Sequence, residues 1–212
     1  MPYFARPIPF NPRDFATHQS LQRIAAFEKG ATPSSRQVAI DYVVTAHGMS
    51  KDATTKSLLY DSTLGQPGRN VAGNIRIGPS AFEQDLAWLS GVVFHELVHS
   101  PQNAYYAANG VTQIDPNRSD TERRMIALDE FEAYSWSLTR RAELDLSAAQ
   151  QADIRDRAQL ALIDLDDAKA KSLAQSGKFD DARDELIRQF KQTAANTRSG
   201  TSRRTSIACC AA

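Results

Sequence analysis

Within a helix predicted over about 81–100, the apolar positions between Leu86 and His99 leave no room for a polar face. Stepping at about 100° per residue, Leu86, Ala87, Trp88, Leu89, Gly91, Val92, Val93, Phe94, Leu97 and Val98 point in every direction. That pattern predicts a helix buried all round. Elsewhere the patterns are one-sided. Phe15, Leu21, Ile24, Ala25 and Phe27 predict a helix over 14–29, ended by Gly30. Val38, Ile40, Val43 and Val44 predict another, capped at Ser34 or Ser35 and stopped by Gly48, with a strand as the competing reading. Leu58, Leu59 and Tyr60 mark a strand within 54–63. After the turn at 65–68, Val71, Ile75 and Ile77 alternate with Asn74 and Arg76, which predicts one strand over 70–78. A connection over 101–118 holds Pro101, Gly110 and Pro116. Asp120, Thr121 and Glu122 then open a helix to about Leu144. Gly177 divides two helical stretches, 147–176 and 178–195, into a hairpin. Pro2, Pro7, Pro9 and Pro12 make an extended N-terminal arm, and the small polar residues of 196–212 predict a disordered tail. The expectation is one α+β domain over 1–195, a small sheet on the buried helix and the remainder mostly helical.

Composition narrows the function classes. A chain of 212 residues can bury roughly 70% of its unfolded surface, so a core needs no staples. Twenty-five basic residues balance 25 acidic ones, which argues against nucleic acid as a partner. No apolar run reaches the roughly 18 residues of a membrane span, and the first residues lack the apolar stretch of a cleaved signal peptide. The two cysteines, Cys209 and Cys210, are adjacent; they offer neither a disulfide framework nor a spaced thiolate metal site. A protein made in a reducing cytoplasm is expected, with export by a route lacking a cleaved signal left open.

The buried helix contains His95-Glu96-Leu97-Val98-His99. Residues four apart share a helix face, so two imidazoles can hold one Zn²⁺. Glu96 then stands beside the metal's water as general base. A helix with no polar face makes these three residues costly to bury without partners, and a metal supplies one. A catalytic zinc wants a third protein ligand, and no histidine follows His99. With Met125 set at 0°, Glu132 falls near about 340°, within the apolar arc of its helix, and Glu130 near about 140°, on the polar side. Glu132 is therefore the expected third ligand and Glu130 the alternative. The competing role for Glu132 is an ion pair, with Arg123 or Arg124 as partner.

His95-Glu96-x-x-His99 followed downstream by a helical Glu132 resembles the gluzincin branch of the zincin metallopeptidases. The resemblance covers about 54–140. It implies a zincin-like fold and zinc held by His95, His99 and Glu132. It also implies Glu96 as base and then proton donor to the leaving amine, and a protein or peptide substrate. The strand over 74–78 would receive the substrate backbone as an added strand. An endopeptidase is expected rather than an exopeptidase. One departure is Trp136, where many gluzincins carry an aspartate that supports a ligand histidine; Asp129 is the substitute candidate. The compact size and polar tail also resemble small bacterial effector or toxin metallopeptidases. Tyr105, Tyr106 and Tyr134 are candidates to stabilise the transition state, and His47 reads as structural. Two other functions stay open: a helical interaction module with a structural or vestigial zinc, and a zinc hydrolase of another amide such as a cell-wall peptide.

Overall fold

The structure, a computed structural model, describes residues 26–49, 53–112, 114, 115, 117 and 119–205, the last of these (197–205) by backbone alone. The N-terminal arm, most of the 14–29 helix and the cysteine pair lie outside the described residues. Among the described residues, six α-helices and a three-stranded mixed sheet make an α+β protein: α1 (Pro33–Ala46), β1 (Ser57–Tyr60), β2 (Gly68–Val71), β3 (Asn74–Ile77), α2 (Leu86–Ala108), α3 (Asp120–Thr139), α4 (Ala148–Asp164), α5 (Ala168–Gln175) and α6 (Phe179–Thr205). Among the described residues no helix is long and apolar enough to cross a membrane. The chain forms two compact units. One holds the residues up to Tyr105 together with Ala133–Ala158; the other holds Tyr106–Glu132 and the chain from Gln159.

In the first unit α1 begins where Thr32 accepts a hydrogen bond from Ser35 N at 3.2 Å, two residues before the expected cap. Its buried residues Ala39, Ile40 and Val43 join a core with Leu58, Ile75, Ile77, Phe82, Leu86, Leu89, Val93 and Phe94. The helix reading of 34–48 therefore wins over the strand, because three of its apolar residues reach one core.

The sheet corrects the expected strand over 70–78. It is a hairpin: β2 pairs antiparallel with β3, Val71 opposite Asn74, across Ala72 and Gly73. Both turn residues have positive φ, 51° and 84°, as the tight two-residue hairpin turn requires. Asn70 Oδ1 accepts Gly73 N at 3.0 Å and steadies the turn. The strand order is β1-β3-β2, with β1 parallel to β3. β3 is thus central and paired on both sides, so it cannot receive a substrate strand; that expectation is overturned. The outward edge of β1 is also taken. The Gln37 amide accepts from Tyr60 N at 2.8 Å and donates to Leu58 O at 3.3 Å, standing in for a neighbouring strand.

A short 3-10 turn, Pro79–Phe82, precedes α2. The Asp85 carboxylate accepts Trp88 N at 2.8 Å and starts the helix there rather than at Ala81. No residue from Leu86 to Ser100 is exposed, as the apolar pattern predicts. The helix does not stop at Ser100. It continues through Pro101 to Ala108, although an interior proline costs about 3 kcal/mol or more. Burial of Tyr106 to 1% exposure is the compensating gain.

In the second unit, Ser119 caps α3: its hydroxyl accepts Glu122 N at 3.2 Å and donates to the Glu122 carboxylate at 2.7 Å. The stretch expected as one helix over 147–176 breaks in two. Asp167 accepts Ala170 N at 2.8 Å and starts α5. Buried Ala170, Ala174 and Ala182 are small enough to let α5 and α6 lie close. The backbone of α6 stays helical to Thr205, past the point where a tail was expected.

Candidate metal centre

His95, Glu96 and His99 occupy the middle of α2. The two histidines are half-buried and Glu96 is 7% exposed. One helical turn apart, the imidazoles meet with their Nε2 atoms 3.0 Å from each other. Gln102 presents its amide oxygen to His99 Nδ1 at 2.6 Å. An acceptor there selects the Nδ1–H tautomer and leaves Nε2 of His99 as an electron-pair donor. Two zinc–nitrogen bonds of about 2.0–2.1 Å at a tetrahedral angle would set these atoms about 3.3–3.4 Å apart. The observed pair is within a few tenths of an ångström of that, so the residues fit a metal.

β2 fixes Glu96 from the other side. A Cβ added to Gly68 would stand 2.6 Å from both Cγ and Oε1 of Glu96. Only glycine lets the strand approach the carboxylate so closely. Two residues on, Asn70 Nδ2 donates to the Glu96 carbonyl at 2.7 Å and to Ser100 Oγ at 2.9 Å. The hairpin is thereby stapled to the turn of helix that carries the motif. Sequence reading passed over Gly68, Asn70 and Gln102. Gln102 was the most accessible of them, lying three residues beyond His99 on the same helix face.

The Tyr134 ring packs against His95, with centroids 4.5 Å apart and planes tilted by 42°. Its hydroxyl lies beside Arg157, whose main partner is Asp153 at 2.8 Å; bonding to Asp153 first, and to Tyr134 less strongly, raises the arginine pKa. His47 caps α1, with Nε2 3.1 Å from Ser90 Oγ, a structural contact.

Glu132, the expected third ligand, is buried as the helical wheel requires, at 9% exposure. Its carboxylate, however, is bonded by Arg183 of α6. Arg183 also binds Asp129 and Asp180, each at 3.1 Å. Arg123 and Arg124, the partners expected of such an ion pair, go to Asp166 instead. Asp129 accepts from the Tyr106 hydroxyl at 3.4 Å as well as from Arg183. Burial, then the Asp129 charge, pushes the Tyr106 pKa well up. Tyr106 thus belongs to this ion cluster. Glu130 is half-buried and stands one turn before Tyr134 on α3. No family model matches the chain, nor does any curated protein or solved structure.

Proposed function

We propose that the protein is a zinc-dependent peptidase of zincin type, with Zn²⁺ held by His95 and His99 and with Glu96 as general base. The observation that carries this reading is the pair of Nε2 atoms 3.0 Å apart beside a buried glutamate. Glu132 is engaged by Arg183, so the other candidate of that helix, Glu130, is proposed as third ligand.

A zinc ion bound there would lower the pKa of a water and polarise the scissile carbonyl. Glu96 takes the proton of the attacking water and returns it to the leaving amine. Gly68 holds the carboxylate where that transfer starts, and Gln102 fixes the orientation of His99. An extended peptide adds to β2, the edge strand beside Glu96. Tyr134, whose ring packs on His95, is the tyrosine we propose for the developing oxyanion.

The test is metal content by mass spectrometry, with peptide cleavage measured in parallel. One zinc per chain is expected in wild type and in Glu132→Gln, and a loss in Glu130→Ala. Glu96→Gln should keep its zinc and lose about 10³-fold in kcat. Full activity in Glu96→Gln, or no zinc in the reconstituted wild type, would remove the peptidase reading.

A further inference from the structure

The outer face of the sheet carries a charge arrangement that the fold does not need. Arg69 of β2 and Arg76 of β3 are directly opposite each other. Side chains alternate along a strand. Gly68 and Asn70 face α2, so Arg69 projects to the other side, where it is exposed. Arg76 is half-exposed on that same side, between Arg69 and Leu59. Like charges directly opposite on neighbouring strands, about 4.5–5.5 Å apart at Cβ, are unfavourable. The pKa of Asp61 is lowered chiefly by the Thr63 hydroxyl and amide and only weakly by Arg76. Exposed Leu59 and Val71 flank the pair. The net charge of the chain is zero, so this is a local feature.

We propose that Arg69 and Arg76 select the substrate: they receive an acidic side chain of an extended peptide lying along β2, next to the bond to be cleaved. The inference rests on the peptidase reading for the place of cleavage, and on the sheet alone for the charge. A peptide paired with β2 alternates in step with it. The substrate residue beside Gly68 points toward Glu96, and its neighbour beside Arg69 points to the outer face. A Glu or Asp at that position meets one guanidinium directly and the second across the strand pair. The stem of the side chain lies against Val71 or Leu59.

The experiment uses the full chain loaded with zinc and two sets of measurements. Short fluorescein-labelled peptides, otherwise uncharged, carry a single Glu, Gln or Lys at each position in turn. Their binding to Glu96→Gln is read by anisotropy, and their cleavage by wild type is read by mass spectrometry. A Glu at one position is expected to bind about 5-fold tighter than Gln there, an advantage that fades as salt is added. Arg69→Glu in the same background should reverse the preference to Lys, and Arg76→Ala should weaken it. Equal binding of the Glu, Gln and Lys peptides, no binding of any, or a preference untouched by Arg69→Glu would overturn the proposal. Cleavage without charge preference would overturn it and keep the peptidase reading. Charge-selective binding without cleavage would uphold it and remove that reading.

Discussion

Two polar clusters in this protein differ in the groups that make them up. Around Arg183 the chain supplies both signs: one guanidinium, 3% exposed on its side chain, faces Asp129, Glu132 and Asp180. Around His95 stand two imidazole nitrogens 3.0 Å apart and a carboxylate pressed against a glycine. The first arrangement is closed by an arginine of its own sequence. The second is the one we propose to be completed by an ion from outside. Burial of a carboxylate is therefore no guide to function by itself; the sign and source of its partner are.

The largest effect that separates the clusters is expected from Arg183→Met. It strips the partner from buried carboxylates, which typically costs about 3–5 kcal/mol. Urea melts would show this, and adding Glu132→Gln to the variant should recover part of the loss. A wild-type melting curve for Arg183→Met would mean that the ion cluster adds nothing to stability. Gly68→Ala comes next and probes the other cluster. Its new methyl displaces the flexible Glu96 carboxylate, not backbone. We expect stability and zinc content near wild type, and kcat lower by about 10²-fold, the scale of a 1 Å misplacement. A fall in stability with unchanged kcat would reverse the contrast.

The smallest effect concerns Glu185, an acidic group of the second unit with internal partners on the surface side. Hydrogen bonds from Lys169 first, then Arg188 and Gln189, lower its pKa to about 2. A depressed carboxylate pKa adds stability above its unfolded value of about 4.3 and loses it as pH falls through the folded value. The stability gap between wild type and Glu185→Gln should thus be constant from neutral pH to about pH 5 and close between about pH 4 and pH 2. Melts across that range measure it; a gap that widens toward acid would contradict the assignment.

The legibility of the sequence follows the reach of its signals. The His95–His99 motif and the all-round burial of its helix were readable because both are set by spacing within one element. The ion pair of Glu132 was not. The wheel rightly placed Glu132 on a buried stripe, but its partner is 51 residues away in sequence, and no local pattern reports that. The β2–β3 hairpin was hidden because its turn uses Ala72 at φ 51°, where asparagine or aspartate is the usual signal. The α4–α5 break has no glycine or proline and depends on one aspartate cap. At Pro101 the local rule gave the wrong answer, since burial downstream outweighed it.

The Gln37 amide on β1 has a consequence for how the protein behaves in a crowd. A sheet extends into a fibre only if both its borders accept new strands. Here one border is occupied by a side chain of the same molecule, and the other belongs to β2. Strand addition through β2 of two copies joins them edge to edge and uses up the last border of each. Self-recognition through the described sheet therefore stops at a pair.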